Sequence, residues 1–301
     1  MIRVRVPATI ANFGPAFDAL GMAVNLYNTV DLAPAAVPQV EILGEGHEWI
    51  PRDASNLTYQ AAVAVADQLG ERTAFRLRCS NRIPPGRGLG SSAAAIVGGV
   101  LAANACFGHR LGSEAVLQLA WQLEGHPDNV AAALQGGVVL TCVSEGHVVW
   151  TRITPAWTAA LVLAVPEFLV STDRARAVLP DRVPFHDAVA NVSRATRLVT
   201  AMLTGSLDLL RLAMEDTLHQ PYRRALIPGM EDVFAAARDA GAYGAALCGS
   251  GPSIVAVAPQ ETAGRIGDQM VTAFAAAGAQ AKALCVEIDL SGARTEVVEE
   301  S

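Results

Sequence analysis

The sequence contains a single lysine, Lys282, among its 22 basic residues, and its 29 acidic residues leave a net charge of −7. A nucleic-acid partner needs a basic surface to meet its phosphate backbone, so this balance argues against one. The five cysteines are widely separated and form no C-x-x-C pair or Cys/His cluster. That spacing indicates reduced thiols rather than a disulfide framework or a zinc site.

Long hydrophobic runs are also missing. The longest apolar stretch, residues 93–107, is interrupted by Gly98, Gly99 and Asn104. It is shorter than the roughly 20 residues that a bilayer-spanning helix needs. The N-terminus lacks the apolar centre of a signal peptide. We therefore expect a cytoplasmic protein that does not associate with membranes.

The rest of the composition favours a large buried core, because 51% of the 301 residues are apolar and only 17% are charged. This length predicts two domains. Strand-like and helix-like periodicities alternate without regular βαβ spacing, which predicts an α+β fold of two layers. A boundary near Thr154-Pro155 gives domains of 1–154 and 155–301. Later elements are predicted as a helix over 207–216 and a last strand over 281–288, followed by a tail.

A glycine-rich loop that runs into a helix of small residues is the most informative segment: Pro84, Pro85, Gly86, Arg87, Gly88, Leu89, Gly90, Ser91, Ser92, Ala93 and Ala94. Alternating glycines allow close backbone approach to a ligand, and a helix N-terminus favours an anion. The segment has neither the lysine of a Walker loop nor the later acidic residue of a dinucleotide-binding fold. We predict a phosphate site whose charge is met by backbone dipoles, a metal and Arg87. The alternative is a structural connection with a serine helix cap.

This loop resembles the second motif of the GHMP small-molecule kinases, and V-P-A-T-I-A-N-F-G-P-A-F-D-A-L-G at 6–21 and L-C-G-S-G-P-S-I at 247–254 resemble their first and third motifs. Within that family, the segments at 124–130, 171–180 and 219–229 resemble the homoserine kinases. The resemblance implies an N-terminal ATP-binding domain like ribosomal protein S5 domain 2 and a ferredoxin-like C-terminal domain. It also implies a homodimer that transfers phosphate directly from ATP, with Mg²⁺, to the γ-hydroxyl of L-homoserine in threonine biosynthesis.

An amino-acid substrate presents a carboxylate and an ammonium group, which call for arginine and for an acidic side chain. The family positions that match are Arg176 and Arg223 for the carboxylate, and Asp18 and Asn12 for the ammonium group and its surroundings. The resemblance also places His126 against the substrate and Gly251 in a loop that helps close the site. The alternatives are solvated surface arginines, an Asp18 that only caps a turn, and a simple hairpin turn at 249–252.

The resemblance assigns Glu124 and Ser92 to Mg²⁺ and places Asn129 beside the attacking hydroxyl. Asp128 is adjacent, and the sequence leaves open whether Asp128 acts as a base or Asn129 assists without one. The structural alternative for this segment is a turn between two helices with Asp128 as the helix cap. Asn56 matches a family position near the adenine, although a helix cap explains it equally well.

Rival functions are a GHMP kinase for another small alcohol, such as mevalonate, and a non-catalytic sensor on the same fold. The first has no use for two carboxylate-binding arginines plus an ammonium-binding aspartate. The second is expected to lack Glu124 or Ser92, and both are present.

Overall fold

The computed structural model describes residues 1–299 of the chain. Its strands are β1 (Ile2–Ala11), β2 (Leu20–Ala35), β3 (Gln39–Gly44), β4 (Ala74–Asn81), β5 (Val138–Ser144), β6 (His147–Ile153), β7 (Ala160–Pro166), β8 (Gly244–Leu247), β9 (Ile254–Ala258), β10 (Ala281–Val286) and β11 (Arg294–Val297). Its α-helices are α1 (Leu57–Leu69), α2 (Ser91–Cys106), α3 (Ser113–Glu124), α4 (Pro127–Gln135), α5 (Thr172–Ala177), α6 (Phe185–Thr204), α7 (Leu210–Ala213), α8 (Gln220–Arg223), α9 (Met230–Asp239) and α10 (Ala263–Ala276).

In the described part of the chain, the first sheet has seven strands. The order β11-β1-β2-β4-β3 forms its main path, and the β5–β6 hairpin joins it through β2. All of these pairs are antiparallel except β3 with β4. Helix α2 packs on β1 and β2 and is covered by α1 and α3, so the layer of helices lies on one face of the sheet.

In the second sheet, whose order is β10-β7-β9-β8, the strands β7, β9 and β8 are buried on both faces, whereas most residues of the edge strand β10 are at least partly exposed. Because successive strand residues point to opposite faces, Leu161 and Leu163 of β7 join the core shared with the first sheet. Val162 and Ala164 join a separate core under α9 and α10. This double burial explains why β7 is apolar throughout rather than alternating.

The mixed helix and sheet architecture confirms the α+β prediction, but two predicted elements differ. The expected helix over 207–216 shrinks to a 3₁₀ turn followed by α7, which ends at Ala213. The Asp216 carboxylate instead accepts hydrogen bonds from the backbone amides of Leu218, His219 and Gln220. A polar side chain that binds nearby amides in this way competes with helix formation.

The predicted tail after β10 contains a further strand, β11, which pairs with the N-terminal β1. Sequence periodicity missed it because Arg294, Thr295, Glu296 and Val297 are all exposed and show no buried alternation. The end of the described chain therefore returns to the first sheet. The domain boundary at 154/155 stays a prediction.

Two helical glycines give a matched test of this packing. A Cβ on Gly99 of α2 would lie 2.3 Å from the Thr58 carbonyl oxygen of α1, whereas a Cβ on Gly264 of α10 meets nothing within 4 Å. Alanine is favoured over glycine inside a helix by roughly 1 kcal/mol. We expect Gly264→Ala to raise the melting temperature and Gly99→Ala to lower it, as measured by calorimetry. Equal shifts in both variants would contradict the close α1–α2 contact.

Candidate active site

The three segments with the sequence motifs meet around one cavity of about 350 Å³. The backbone amide of Gly249 donates to the carbonyl of Ala11 at 3.1 Å, and Nδ2 of Asn12 donates to the carbonyl of Gly249 at 3.0 Å. The backbone amide of Thr9 donates to the carbonyl of Leu89 at 3.1 Å. The first motif is therefore hydrogen-bonded to both of the others.

The glycine loop bends sharply at this cavity, with φ of 68° at Gly86, 74° at Gly88 and 69° at Gly90. A Cβ on Gly90 would lie 1.9 Å from Oγ1 of Thr9, so only glycine fits there. Gly90 is also the N-cap residue just before α2, and it provides no side-chain cap. The N-terminus of α2 thus opens on the cavity with backbone amides available to an anion.

Ser92 and Glu124 form a pair of oxygen donors on the cavity wall. Oγ of Ser92 donates to Oε1 of Glu124 at 2.7 Å, and the Glu124 side chain is only 6% exposed. Burial raises the pKa of Glu124 to about 7, although the Ser92 hydrogen bond and the charge of Arg176 act in the opposite direction. Hard oxygen donors of this kind suit Mg²⁺.

Asp128 and Asn129 lie in the first turn of α4, after a turn of only two residues, Gly125 and His126. Oδ1 of Asp128 accepts from the backbone amide and Nδ2 of Asn129, at 2.7 and 3.1 Å. Oδ1 of Asn129 accepts from Oγ1 of Thr9 at 2.6 Å. Burial, and then the charge of Asp18, raise the pKa of Asp128 to about 7.

Asp18 and Arg176 form a two-pronged ion pair across the cavity, with Nη2 to Oδ1 at 2.7 Å and Nη1 to Oδ2 at 3.0 Å. The Arg176 guanidinium also lies 5.4 Å from the centre of the Phe17 ring. Nε of Arg176 is buried and has no hydrogen-bond partner among residues 1–299.

Arg223 is 2% exposed, so it is not a solvated surface arginine. Its Nε donates to the carbonyl of Ala175 at 3.1 Å, and its Nη1 donates to the carbonyl of Gly249 at 2.9 Å and contacts Nδ1 of His219 at 3.0 Å. Burial and the charge of Arg176 lower the pKa of Arg223 to about 10, which keeps it charged at neutral pH. Within the described residues its Nη2 makes no hydrogen bond, although Arg223 lines the cavity.

His126 also lines the cavity, and its Nδ1 lies 3.8 Å from Oε1 of Glu124. That nitrogen is buried without a hydrogen-bond partner in the described chain. Burial and the charge of Arg176 lower the pKa of His126, so it is a neutral polar group at neutral pH.

Comparisons with known proteins identify this arrangement. Residues 56–137 match the family profile "GHMP kinases N terminal domain", and residues 198–276 match "GHMP kinases C terminal". The chain belongs to the GHMP kinase family. It is 44% identical over 295 residues to a homoserine kinase of Carboxydothermus hydrogenoformans, covering 97% of this chain and 96% of that one.

Two further relatives agree. A homoserine kinase of Moorella thermoacetica is 46% identical over 276 residues, which cover 91% of this chain and 93% of the relative. The crystal structure of homoserine kinase from Cytophaga hutchinsonii superposes with a TM-score of 0.88 at 33% identity, covering 98% of this chain and 97% of that one. The resemblance to GHMP kinases and the kinase fold predicted from the motifs are thus confirmed, and the chain is an ATP-dependent phosphotransferase.

Most of the site residues predicted for this GHMP kinase line the same cavity. They are Asn12, Asp18, Asn56, Pro85, Gly86, Gly88, Gly90, Ser91, Ser92, Glu124, His126, Asp128, Asn129, Arg176 and Arg223. Six others are not among the residues that line it: Pro84, Arg87, Leu89, Ala93, Ala94 and Gly251. The backbone amide of Ala94 already donates to the carbonyl of Gly90, and that of Gly251 to the carbonyl of Cys248.

The side chain of Arg87 departs from the expectation that it meets phosphate charge. Its Nε donates to the carbonyl of Pro166 at 2.7 Å, Nη1 to the carbonyl of Pro85 at 3.3 Å, and Nη2 to the carbonyl of Glu167. These bonds tie the glycine loop to the end of β7. In this GHMP kinase, therefore, the guanidinium of Arg87 acts as a structural link behind the loop.

For Asn56 and for the loop 249–252, the structural alternative holds and the residues also line the cavity. Oδ1 of Asn56 caps α1 by accepting from the amides of Thr58 and Tyr59, and Asn56 also lines the cavity. The loop 249–252 is a hairpin turn between β8 and β9, and its Gly249 and Ser250 line the cavity. The structural alternative of a helix cap at Asp128 does not hold, because His126 is the N-cap of α4 and Asp128 lies in its first turn.

Three residues that support the site had no role assigned to them from the sequence: Thr9, Phe17 and His219. Thr9 and Phe17 lie inside the first motif, and His219 is the first residue of the segment 219–229. Each therefore belongs to a motif that the sequence showed, although no role was assigned to it. Thr9 fixes Asn129, while Phe17 stacks on His219 with ring centres 5.1 Å apart.

The described part of the chain has neither a cluster of metal-binding side chains nor a helix suited to span a membrane. Residues 1–299 contain no group of three or more His, Cys, Asp or Glu side chains able to hold a metal ion by themselves. A cation beside Ser92 and Glu124 would therefore need ligands from phosphate and water. None of the helices described is long and apolar enough to cross a bilayer.

The raised pKa of Asp128 predicts a pH-dependent stability. Its folded value of about 7 lies above the unfolded value of 3.8. Its stabilising contribution is therefore complete below pH 3.8 and is lost as the pH rises through 7. Asp128→Asn keeps an oxygen to accept from Asn129 and cannot ionise. We expect this variant to melt at a higher temperature than the wild type at pH 8, with a smaller difference at pH 5.

The exposed Asp67→Asn on α1 is the control, and it should show no such pH-dependent gain. A difference between Asp128→Asn and the wild type that stayed constant from pH 5 to pH 8 would show that Asp128 does not titrate in this range.

Proposed function

We propose that the chain transfers the γ-phosphoryl group of ATP to the γ-hydroxyl of L-homoserine, giving O-phospho-L-homoserine and ADP in threonine biosynthesis. The observation that carries this substrate is a set of charges that line the cavity beside the glycine loop: the buried Arg223 with a free Nη2 and the half-buried Asp18–Arg176 pair. The homoserine kinase names of relatives at 44% and 46% identity support the same substrate.

The charges of the cavity suit a zwitterion. The substrate carboxylate binds Nη2 of Arg223 and the guanidinium of Arg176, while the ammonium group binds Asp18. The present Asp18–Arg176 pair is thereby exchanged for contacts to the substrate, so each of these charges and the buried Arg223 has a partner of opposite sign. An isolated buried charge is costly, which makes this exchange selective for an alcohol that carries both groups. Asn12 and His126 line the same end of the cavity.

The phosphate chain lies along the glycine loop and the N-terminus of α2, where backbone amides and the helix dipole meet its charge. Asn56 lines the cavity with Trp49 and Ile50, and this more apolar end suits the adenine. Because phosphoryl transfer depends mainly on alignment and charge neutralisation, fixed groups of this kind suffice for most of the catalysis.

Asp128 is the group of this segment that accepts the proton of the hydroxyl. Asn129 is an amide whose oxygen is already occupied by Thr9, and it orients Asp128 through two hydrogen bonds. A pKa of about 7 leaves a substantial fraction of Asp128 ionised at neutral pH, as a general base requires. An unchanged kcat in Asp128→Asn would contradict this role.

The enzyme is also proposed to be a cytoplasmic homodimer. Helix α6 exposes Phe185, Val189 and Val192, which are 85%, 53% and 68% accessible. Their spacing places them on one face of the helix, as an apolar contact with a second copy requires. Sedimentation as a monomer at micromolar concentration would contradict the dimer.

A coupled assay of ADP release tests the substrate. With Mg-ATP, we expect turnover to be strongest with L-homoserine and much weaker with L-serine, L-threonine and mevalonate. Arg223→Ala should raise the KM for homoserine about 10- to 100-fold, the effect of losing hydrogen bonds to a charged group, and leave the KM for ATP nearly unchanged.

Arg224→Ala is the matched control for the arginine, since Arg224 is the next residue and is exposed. Equal increases in both Michaelis constants would count against a carboxylate contact. Preference for mevalonate would retain the kinase chemistry and overturn the substrate.

Mg²⁺ is held by Ser92 and Glu124 in this proposal, and when bound it neutralises phosphate charge. The adjacent oxygens on the cavity wall support this assignment. Glu124→Gln removes the charge and keeps the shape, so we expect it to require a much higher Mg²⁺ concentration for half-maximal turnover. Glu114→Gln, on the exposed start of the same helix, should leave the Mg²⁺ requirement unchanged. A wild-type Mg²⁺ dependence in Glu124→Gln would remove Glu124 from the metal site.

A further inference from the structure

His219 is completely buried, and its ring is held between two groups of opposite hydrogen-bonding character. Nε2 lies 2.7 Å from the carbonyl oxygen of Gly14, which only accepts, so Nε2 carries the hydrogen. Nδ1 lies 3.0 Å from Nη1 of Arg223, which only donates, so Nδ1 is the bare acceptor. The contacts therefore fix His219 as the neutral Nε2–H tautomer.

The charged groups around His219 agree with a neutral ring. Oδ2 of Asp216 lies 3.6 Å from Nε2, and Arg223 and Asp18 are the other charges that act on the ring. Burial outweighs the attraction of Asp216 and lowers the pKa of His219 to about 4. A protonated ring would place a second N–H against the Arg223 guanidinium.

Hydrogen bonds to the Asp216 carboxylate hold the backbone at His219, on the N-terminal side of Arg223. The Asp216 carboxylate accepts from the amides of His219 and Gln220, and from Nδ2 of Asn191 at 2.9 Å. His219 and Arg223 are four residues apart and lie on the same side of the short helix α8. The ring of Phe17 stacks on His219. The Arg223 guanidinium lies 5.3 Å from the centre of the Phe17 ring.

We infer that His219 is a positioning residue for substrate recognition: its bare Nδ1 holds Nη1 of Arg223 so that Nη2 points at the substrate carboxylate. This inference rests on the proposed function, and it assigns a task to a side chain that does not itself line the cavity. The other two contacts of the guanidinium, the carbonyls of Ala175 and Gly249, fix Nε and the same Nη1. His219 is the one side-chain acceptor among these contacts.

Two substitutions separate the two ring contacts. The side-chain oxygen of His219→Asn reaches the position of Nδ1 and keeps the acceptor for Arg223, but it loses the donor to Gly14. The amide nitrogen of His219→Gln reaches the position of Nε2 and keeps the donor to Gly14, but it loses the acceptor for Arg223. Asparagine also leaves the larger void in this buried position, so it is expected to be the less stable variant.

Steady-state kinetics and thermal melting of both variants test the inference. We expect His219→Gln to raise the KM for homoserine about tenfold, the effect of one lost hydrogen bond to a charged group, with the KM for ATP unchanged. In His219→Asn, the KM for homoserine and the KM for ATP should both stay within about threefold of the wild type, although this variant melts at a lower temperature than His219→Gln. If His219 only filled space or held Gly14, the kinetic order would follow the stability order, with Asn worse than Gln, and the inference would be overturned.

A substrate without a carboxylate gives the second readout. For 3-aminopropan-1-ol, kcat/KM should be the same in the wild type and His219→Gln, because Arg223 then has no carboxylate to meet. An equal loss for homoserine and for this analogue would show a general distortion and overturn the inference. Wild-type turnover of homoserine with no change in His219→Gln would overturn the role of His219 alone, whereas a wild type that does not use homoserine would overturn the proposed function and this inference together.

Discussion

The site depends on one buried positive charge. Arg223 is 2% exposed, and no carboxylate of the described residues lies within ion-pair distance of its guanidinium. Two backbone carbonyls, a neutral imidazole and the face of Phe17 replace water around it. Dipoles of this kind compensate only part of the cost of burying a charge, and the remainder favours an anion at the free Nη2. The carboxylate contact proposed for Arg223 therefore follows from how the chain buries its charge.

The fold supplies those dipoles from distant parts of the chain. Ala175 belongs to the short helix α5, His219 is the N-cap residue of α8, and Gly249 lies in the hairpin between β8 and β9. Phe17 follows β1 of the first sheet. The hairpin that carries Gly249 joins β8 and β9, whose residues are all buried. Arg87 adds a direct link by binding the end of β7 from the glycine loop, so that loop is tied to the second sheet.

Local patterns in the sequence were enough to predict the glycine loop and most elements, because these depend on periodicity. The other predicted residues that line the cavity came from the resemblance to the GHMP kinases and the order of its motifs. The partners of the charged side chains could not be predicted in this way. Asp18 and Arg176 are 158 residues apart, and nothing local shows that each is the other's partner. Arg87 was expected at phosphate because of its charge, but nearby carbonyls bind it. Strand β11 lacks any buried position, so its pairing with β1 has no periodic signal.

In the proposed function, charge balance accounts for substrate selectivity more than cavity shape does. With Glu124 and Asp128 near pKa values of about 7, the carboxylates are partly neutralised at neutral pH, and Arg176 and Arg223 leave the amino-acid end positive. An alcohol without a carboxylate leaves Arg223 unmatched, and one without an ammonium group leaves Asp18 facing only Arg176. A site that binds polar groups of its substrate rejects analogues that lack them more strongly than an apolar pocket rejects a missing methylene. Because His219 adds no charge while it fixes the direction of Nη2, it sharpens this discrimination without disturbing the balance.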